Sequence, residues 1–448
     1  MVSVSRPTRY FYFHYILFRV LGLGWWHHPD QGDTRNFHGW YLYYSIVTQL
    51  LCVIGFVTLE SIDPFIGEKD IDRFMISISF VITHDLTLIK LCIFYFKNLQ
   101  IQDIVRTLEV DLYNFYQNNR KNRATIRITR IMSASFVFFG WLVIANTDVY
   151  STIMDFRWRA EVAKLNASSI KPPRALPWAI YIPWNYQSDQ SYISASALQT
   201  MGLLWTGHIV LGIDTFIGSV ILLMSSQFTI LREGIVTAYD RTITKMYMNA
   251  KHQHDFSEAV IPNNEESFYH TTHDEMEDLV LARFSEKEVE LALQETLKNC
   301  FRQHQVLIRC VENFAETYSY GFMTQLISSM TAICVVMVQV SQDASSFKSI
   351  RLVTSLAFFM AMIIQLAIQC FTGNELTLEA ARISDAVMEC KWERMPPSLR
   401  RMLIILMMRA QRPLRLSAAG FAYMNNDCFV AIMKAAYSYY AVLSQKAE

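Results

Sequence analysis

Polar side chains that could act on an ion or a ligand stand inside apolar sequence near the end of the chain. Within Ser417–Leu443, a stretch long enough to cross a bilayer, lie Asn425, Asn426, Asp427 and Lys434, together with a cluster of tyrosines. A membrane helix this polar normally faces other helices or water rather than lipid. The stretch is therefore a candidate pore wall, whose side chains pass ions instead of reacting with a substrate.

Other chemistry is poorly represented in the sequence. There is no glycine-rich phosphate loop, no activated serine or cysteine nucleophile and no carboxylate pair at usable spacing, so neither enzymatic activity nor a cofactor is expected. The eight cysteines form no CxxC pair, and none lies in a predicted external loop, so no disulfide is expected. Four histidines indicate either a metal site or a solvated segment, and we favour the second: His252, His254, His270 and His273. A net charge of zero gives no electrostatic basis for binding nucleic acid.

Apolar windows of about 20 residues, enough to span a hydrocarbon core, recur along the whole chain. Of its 448 residues, 52% are hydrophobic and 13% aromatic. The sequence predicts an all-α, polytopic membrane protein with seven transmembrane helices. These spans lie near Trp40–Leu59, Phe74–Phe96, Ile131–Tyr150, Gln199–Leu223, Thr317–Val340, Leu352–Phe371 and Ser417–Leu443.

The distribution of positive charge predicts the orientation of the spans. Segments on the amino-terminal side of the membrane hold 28 lysines and arginines against 10 on the other side. Because positive residues favour the cytoplasm, residues 1–39 are predicted to be a cytoplasmic segment and the short carboxyl-terminal tail to be external. The sequon at Asn166 then falls in an external loop, where it is a predicted glycosylation site.

Two regions outside the spans are predicted to form a cytoplasmic helical anchor bundle in which subunits pack. The long cytoplasmic loop 225–316 has a polar, acidic centre, predicted to be disordered. From Ser285 onward it shows apolar residues at three-and-four spacing, as in a helix that runs into span five. Residues 372–416 supply further anchor helices, including a basic helix that starts at Pro396-Pro397 and ends at Arg412-Pro413. Residues 40–371 thus hold spans one to six with an external ligand pocket, and 417–448 the pore-lining seventh span with its tail.

Seven spans alone also suggest a G-protein-coupled receptor. Such receptors have an external amino terminus, whereas the charge count places this one in the cytoplasm. No Asp-Arg-Tyr follows span three, and no Asn-Pro-x-x-Tyr lies in span seven. A transporter would show paired halves and broken helices, and the few mid-span glycines do not indicate them.

Several short motifs near the carboxyl end are those of a known family. They are the basic-Gln-basic-Pro run, the Ala-Gly-Phe after it, the terminal Tyr-Ser-Tyr-Tyr-Ala-Val-Leu and a tryptophan before the double proline: Arg409, Gln411, Arg412, Pro413; Ala419, Gly420, Phe421; Tyr437 to Leu443; Trp392. With the inverted seven-span layout, they resemble an insect odorant receptor. Gustatory receptors carry a Thr-Tyr…Gln-Phe ending, which this chain lacks, and the shared coreceptor ends differently. The chain therefore resembles a ligand-tuned subunit.

This resemblance implies an odorant-gated, nonselective cation channel. A small volatile odorant would bind in the outer half of the helix bundle, and the seventh helices of a heterotetramer with the coreceptor would surround the path of the permeating cations. The resemblance also implies a multi-pass protein in the plasma membrane of olfactory sensory neurons. Two alternatives stay open: a seven-span chemoreceptor that signals through a cytoplasmic partner docked on the 225–316 loop, and a gustatory-type receptor channel.

The resemblance also identifies candidate pore residues. Val442 matches the position at which the family narrows the outer mouth with an apolar side chain, and Gln445 matches a polar position one turn further. An apolar neck can gate by dewetting. Lys446 departs from the pattern and could change conductance or selectivity. Alternatively, Val442 packs on a neighbouring helix. Lys434 could pair loosely with Asp427, extend to the interface, or meet an acid of another subunit.

By the same resemblance, the ligand pocket lies in the outer half of spans two to six. One helical face of each span gives the candidate ligand-binding residues: Ser77, Phe80, Val81, His84, Trp141, Ile144, Ala145, Leu198, Met201, Trp205, Ser355 and Phe359. They are apolar and aromatic with a few polar groups, as suits a small volatile ligand, although each could instead pack in the core. His84 could bond a ligand oxygen or be satisfied by a neighbouring helix. Asp214, below the pocket, is expected to meet a donor in the anchor or in span three.

Overall fold

The computed structural model describes residues 10–23, 39–66, 71–112, 119–164, 174, 176–252, 273–345 and 349–447. These residues form α1 (Tyr12–Val20), α2 (Gly39–Thr48), α3 (Phe56–Ile66), α4 (Ile71–Phe96), α5 (Asn98–Arg106), α6 (Asn119–Val162), α7 (Asp189–Val236), α8 (Ala238–His252), α9 (His273–Arg283), α10 (Glu286–Ser345), α11 (Ser349–Ala381), α12 (Ile383–Glu389), α13 (Pro397–Ala410) and α14 (Asn426–Ala447). Two short strands, β1 (Ser417–Ala418) and β2 (Ala422–Tyr423), precede α14. The all-α prediction is thus confirmed.

Helix α7 is the centre of the bundle. Its apolar window is 94% buried, as expected for a helix that is hydrophobic all round. Helices α4, α6, α10 and α11 pack around it. Close approach at Gly202 brings the Phe56 ring of α3 against the α7 backbone, since a Cβ there would lie 2.1 Å from that ring.

Six helical segments of the described residues are long and apolar enough to cross a membrane. Five of the first six predicted spans lie wholly within them, and the second, Phe74–Phe96, overlaps the segment Ser77–Phe96. The first runs from Trp40 to Ile66 because a π-helical segment, Gln49–Gly55, joins α2 to α3. Helices α6, α7 and α10 extend well beyond the apolar windows, as local hydropathy does not set the end of a helix.

Helix α10 is continuous over 60 residues, which corresponds to about 90 Å at the rise of an α-helix. It therefore projects far beyond a hydrocarbon core of about 30 Å, as the spacing from Ser285 predicted. We call α8, α9, the charged first half of α10, α12 and α13 the anchor bundle. Ion pairs hold it together: Lys391, between α12 and α13, pairs with Asp240 of α8 at 2.7 Å, and Arg409 of α13 pairs with Glu312 of α10 at 3.0 Å.

The predicted start of span seven, Ser417, is wrong. A hairpin occupies that position, with Ser417 opposite Tyr423 and with Gly420 in the left-handed region at φ 80°. The Asn425 side chain then accepts a bond from the Cys428 N–H at 2.8 Å, which caps the helix. The asparagines that looked like in-membrane polar positions thus end a turn and begin α14. The 22 residues of α14 span about 33 Å.

Candidate functional site

The face of α4 that was predicted to bind the ligand is buried within the helix bundle. Ser77, Phe80, Val81 and His84 are all at most 9% exposed, because residues three and four apart share one side of a helix. The Phe80 ring lies 4.7 Å from the Phe358 ring of α11. The α4 face is therefore closed by aromatic contact with α11.

His84 is satisfied by the helix next to it. Its Nδ1 lies 2.7 Å from Oε2 of Glu60 on α3, and both side chains are buried. The ring packs edge-on against Phe56 and parallel to Phe80. Of the two roles that the sequence left open for His84, the geometry favours the partner helix over a ligand oxygen.

The other predicted ligand residues fall into three groups. Ile144 is buried in the same core, and Leu198, Trp205 and Phe359 are half-buried. The half-buried Ser355 donates to Asp343 at 2.7 Å. The remaining three side chains are exposed on the outside of the bundle, away from the Phe80 ring: Trp141, Ala145 and Met201.

Sequence reasoning missed three residues around Phe80. Trp178, from the segment between α6 and α7, lies 5.0 Å from the Phe80 ring. Gln199 binds the backbone of Trp178, and Phe358 completes the contact on α11. Only prolines at 177 and 183, which restrict the backbone, hinted that this segment is ordered.

We call Phe80, Trp178 and Phe358 the Phe80 cluster. A cleft lies outside this cluster, on the side of α3 and α4. It has a volume of about 380 Å³, and Val57, Phe65, Asp85 and Leu88 are among its lining residues. Asp85 accepts a hydrogen bond from Ser61 at 3.2 Å within it. The cleft and the Phe80 cluster thus use different faces of α4.

A buried polar centre lies further along α4, beyond His84. Lys90 of α4 forms an ion pair with Asp214 of α7. Gln365 also donates to Asp214, and Gln369 does so at 3.1 Å. The expected donor in the anchor or span three is therefore wrong: the donors come from spans two and six, which flank α7.

Helix α14 has one covered side and one uncovered side. Phe429, Met433 and Ala436 pack toward α10 and α11. The opposite side is an exposed stripe at three-and-four spacing, made by Asp427, Ala431, Lys434, Ser438 and Val442. We call it the α14 stripe. Val442 is 56% exposed, so it does not pack on a helix of this subunit.

Some predicted residues lie where the structure gives no side chain. The backbone of Gln445 and Lys446 is part of α14, but the side chains of both residues are outside the described set. Asn166 also lies outside the described residues, as do the side chains of the four histidines considered above for a metal. Among described residues, no group of three or more metal-ligating side chains occurs.

The anchor bundle holds a buried histidine, and the pKa of this histidine predicts that acid destabilises the folded protein. His304, in the charged half of α10 outside the apolar window, is buried, and burial together with nearby Arg409 lowers its pKa to about 4. Between pH 6.5 and 4 the unfolded chain takes up a proton that the folded chain does not. Stability should therefore fall as the pH falls through this window, by roughly 3 kcal/mol in total. Melting temperatures of the purified receptor from pH 7.5 to 4.5 should show a steeper loss than those of His304→Gln. Parallel curves for the two proteins would contradict this prediction.

Comparison with known proteins identifies the family to which the chain belongs. This chain, a multi-pass membrane protein, matches the family model described as "7tm Odorant receptor" over residues 70–437. The chain belongs to the odorant receptor family and is not an enzyme, as the sequence predicted.

Relatives and solved structures agree with this assignment. Odorant receptor 2a of Drosophila melanogaster is 23% identical over 150 residues, which cover 31% of this chain and 38% of that protein. The odorant receptor coreceptor of Aedes aegypti is 23% identical over 160 residues, or 36% of this chain and 33% of the coreceptor. The chain thus matches about a third of the length of these relatives. The insect olfactory receptor OR5 of Machilis hrabei, solved in complex with eugenol, has the same fold, with a TM-score of 0.65, 13% identity and 96% coverage of both chains.

Proposed function

We propose that this chain is the odorant-tuned subunit of a ligand-gated, nonselective cation channel that assembles with a coreceptor as a heterotetramer. It would act in the plasma membrane of olfactory sensory neurons. Its amino terminus is cytoplasmic, it crosses the bilayer seven times, and α14 makes the seventh crossing and lines the pore. The odorant binds in the outer half of the bundle, at the Phe80 cluster.

One observation carries the proposal: the uncovered α14 stripe places charged and polar side chains along a helix that is long enough to cross the membrane. An exposed row that joins Asp427, Lys434 and Ser438 would be costly against lipid. The same row suits a water-filled path shared by several subunits. Val442 lies toward the carboxyl end of the stripe, where an apolar ring could close the path by dewetting.

The ligand part of the proposal rests on the α4 face. Its buried side chains are apolar and aromatic with a few polar groups, as in sites for small molecules. An odorant that fits the open arrangement of the helices better than the closed one would shift the equilibrium by that difference in affinity. The side chains of Trp141, Ala145 and Met201 are exposed, so we assign them a smaller role than the Phe80 cluster.

Two substitutions separate the pore from the ligand site. With coreceptor co-expressed, Val442→Ala should change the single-channel conductance or the basal current and preserve the ranking of odorants. Phe80→Ala should preserve conductance and reorder the odorants, with half-maximal concentrations raised about tenfold for those that touch the ring, which corresponds to about 1.4 kcal/mol.

Leu443→Ala is the matched control for Val442→Ala, because it removes a similar side chain one residue on, away from the α14 stripe. The recordings use excised patches without nucleotide, which excludes signalling through a soluble partner. The proposal would be overturned if the patches stayed silent, or if Val442→Ala changed only the ranking of odorants and Phe80→Ala only the conductance.

A further inference from the structure

The segment between α6 and α7 is bound to the bundle through its backbone at Trp178. The Trp178 N–H donates to Oε1 of Gln199 at 3.1 Å, and Nε2 of Gln199 donates to the Trp178 carbonyl at 3.2 Å. Gln199 is fully buried on α7. One amide side chain thus satisfies both backbone groups of one residue, as a neighbouring strand would, and this fixes the position of the Trp178 backbone.

Arg174, four residues before Trp178, binds both helices that flank this segment. Its guanidinium donates to Asp155 of α6 at 2.7 Å and to Asp189 of α7 at 3.0 Å. It also lies over the rings of Trp158 at 4.5 Å and Tyr192 at 3.9 Å. Charge-assisted bonds of this kind are about twice as strong as neutral ones, so the segment is tied to both helices.

Held in this way, the Trp178 side chain points into the predicted ligand region. Its ring meets the Phe80 ring nearly edge-on, at an interplanar angle of 87°, and only 6% of the residue is exposed. Its indole N–H has no acceptor among the described residues. One turn before Phe80 on α4, the fully buried hydroxyl of Ser77 also lacks a described partner.

An unpaired buried donor destabilises the protein, because it loses its bond to water without gaining another, and a ligand that supplies the acceptor removes this cost. We propose that Trp178 is a ligand-contacting residue that selects odorants bearing a hydrogen-bond acceptor, such as ketones and esters. The acceptor oxygen takes the indole N–H while the carbon skeleton packs on Phe80. This inference rests on the ligand site proposed above and adds to it the chemical class of the ligand.

The test compares Trp178→Phe with the native chain, because phenylalanine keeps an aromatic ring against Phe80 and lacks the N–H. The probes are aliphatic ketones and esters of six to eight carbons, each paired with the alkane of the same skeleton. For the ketones and esters, half-maximal concentrations should rise about tenfold. For any alkane that activates, they should stay within about twofold. The control is Trp184→Phe, in the same segment but 39% exposed, which should change neither series.

A second measurement does not depend on channel activity. The melting temperature of the purified receptor should rise with a ketone or ester, and this rise should shrink in Trp178→Phe and persist in Trp184→Phe. Equal shifts for ketones and alkanes, no change in Trp178→Phe, or no stabilisation by any oxygenated probe would overturn the inference. Stabilisation without current in any pairing would instead count against the proposed channel and leave the assignment of Trp178 standing.

Discussion

Asp214→Asn is expected to leave less than about a tenth of the receptor at the cell surface, because the substitution leaves the Lys90 ammonium buried without its counter-charge. Asp214 is fully buried, and Lys90 is 4% exposed. Removing one partner of a buried ion pair costs about 3–5 kcal/mol, against a total folding stability of about 5–15 kcal/mol. A loss of this size changes the amount of folded protein in a cell by a large factor.

Lys90→Met tests the contribution of the same ion pair by removing the other charge. On its own it leaves the Asp214 carboxylate with only the amides of Gln365 and Gln369, so it should also destabilise the protein. The double variant Lys90→Met/Asp214→Asn removes both charges. The asparagine oxygen can still accept from Gln365, and its NH2 group can donate to the buried Oε1 of Gln369 once the Gln369 amide turns over; that Oε1 has no partner in the described part of the chain.

The double variant should therefore be more stable than either single variant, with a coupling of about 2 kcal/mol. The stability of each variant is measured as the melting temperature after detergent extraction, and the amount of folded receptor is measured by labelling at the cell surface. Additive losses would show that the two side chains do not act as a pair. Thr200→Val is a control on the same helix, because its hydroxyl is half-buried and bonds to Asp148 at 3.2 Å, away from the polar centre.

The sequence predicted those features that depend on neighbouring residues. Six apolar windows, the start of α13 at Pro397 and the continuous α10 all follow from local spacing and from proline, and all are present in the structure. Asn425 shows the limit of such reasoning. The same asparagine fits a polar membrane position and a helix cap, and only the backbone before it, turned at Gly420, decides between them.

Contacts between distant segments were beyond the sequence. Lys90 and Asp214 are 124 residues apart, and Gln365 is 151 residues from Asp214. The sequence shows that each of these groups needs a partner in a membrane, but not which partner. Trp178 is the harder case, because a tryptophan in a predicted loop shows no periodicity. Its place beside Phe80 follows from Gln199 and Arg174, neither of which has a recognisable motif.

Linking Cys370 to Cys428 is expected to abolish most of the odorant-evoked current. The two thiols are neighbours between α11 and α14, and the adjacent rings of Phe371 and Phe429 are 5.1 Å apart. At Gly373 of α11, a Cβ would lie 2.5 Å from the carbonyl oxygen of Met424, two residues before α14 begins. The base of the proposed pore helix therefore rests directly on span six.

Copper-phenanthroline in air supplies the oxidant: each thiol loses its hydrogen, a sulfur–sulfur bond forms, and oxygen takes up the two electrons. The disulfide fixes the base of α14 to α11. If odorants open the pore by moving α14 away from α11, the current should fall to a small fraction and return with dithiothreitol. Cys428→Ser should be insensitive to the oxidant, whereas Cys52→Ser, a change on the π-helical segment before α3, should respond like the native chain.

Peptide mapping under non-reducing conditions shows whether the disulfide has formed. A linked receptor with full odorant current would contradict a movement at the base of α14. It would confine gating to the carboxyl end of the helix near Val442, where α14 is exposed. A linked receptor without current would show that α14 must move relative to α11 at Cys428, one turn after the Asn425 cap. The hinge for this movement would then be the hairpin before α14, where the backbone turns at Gly420.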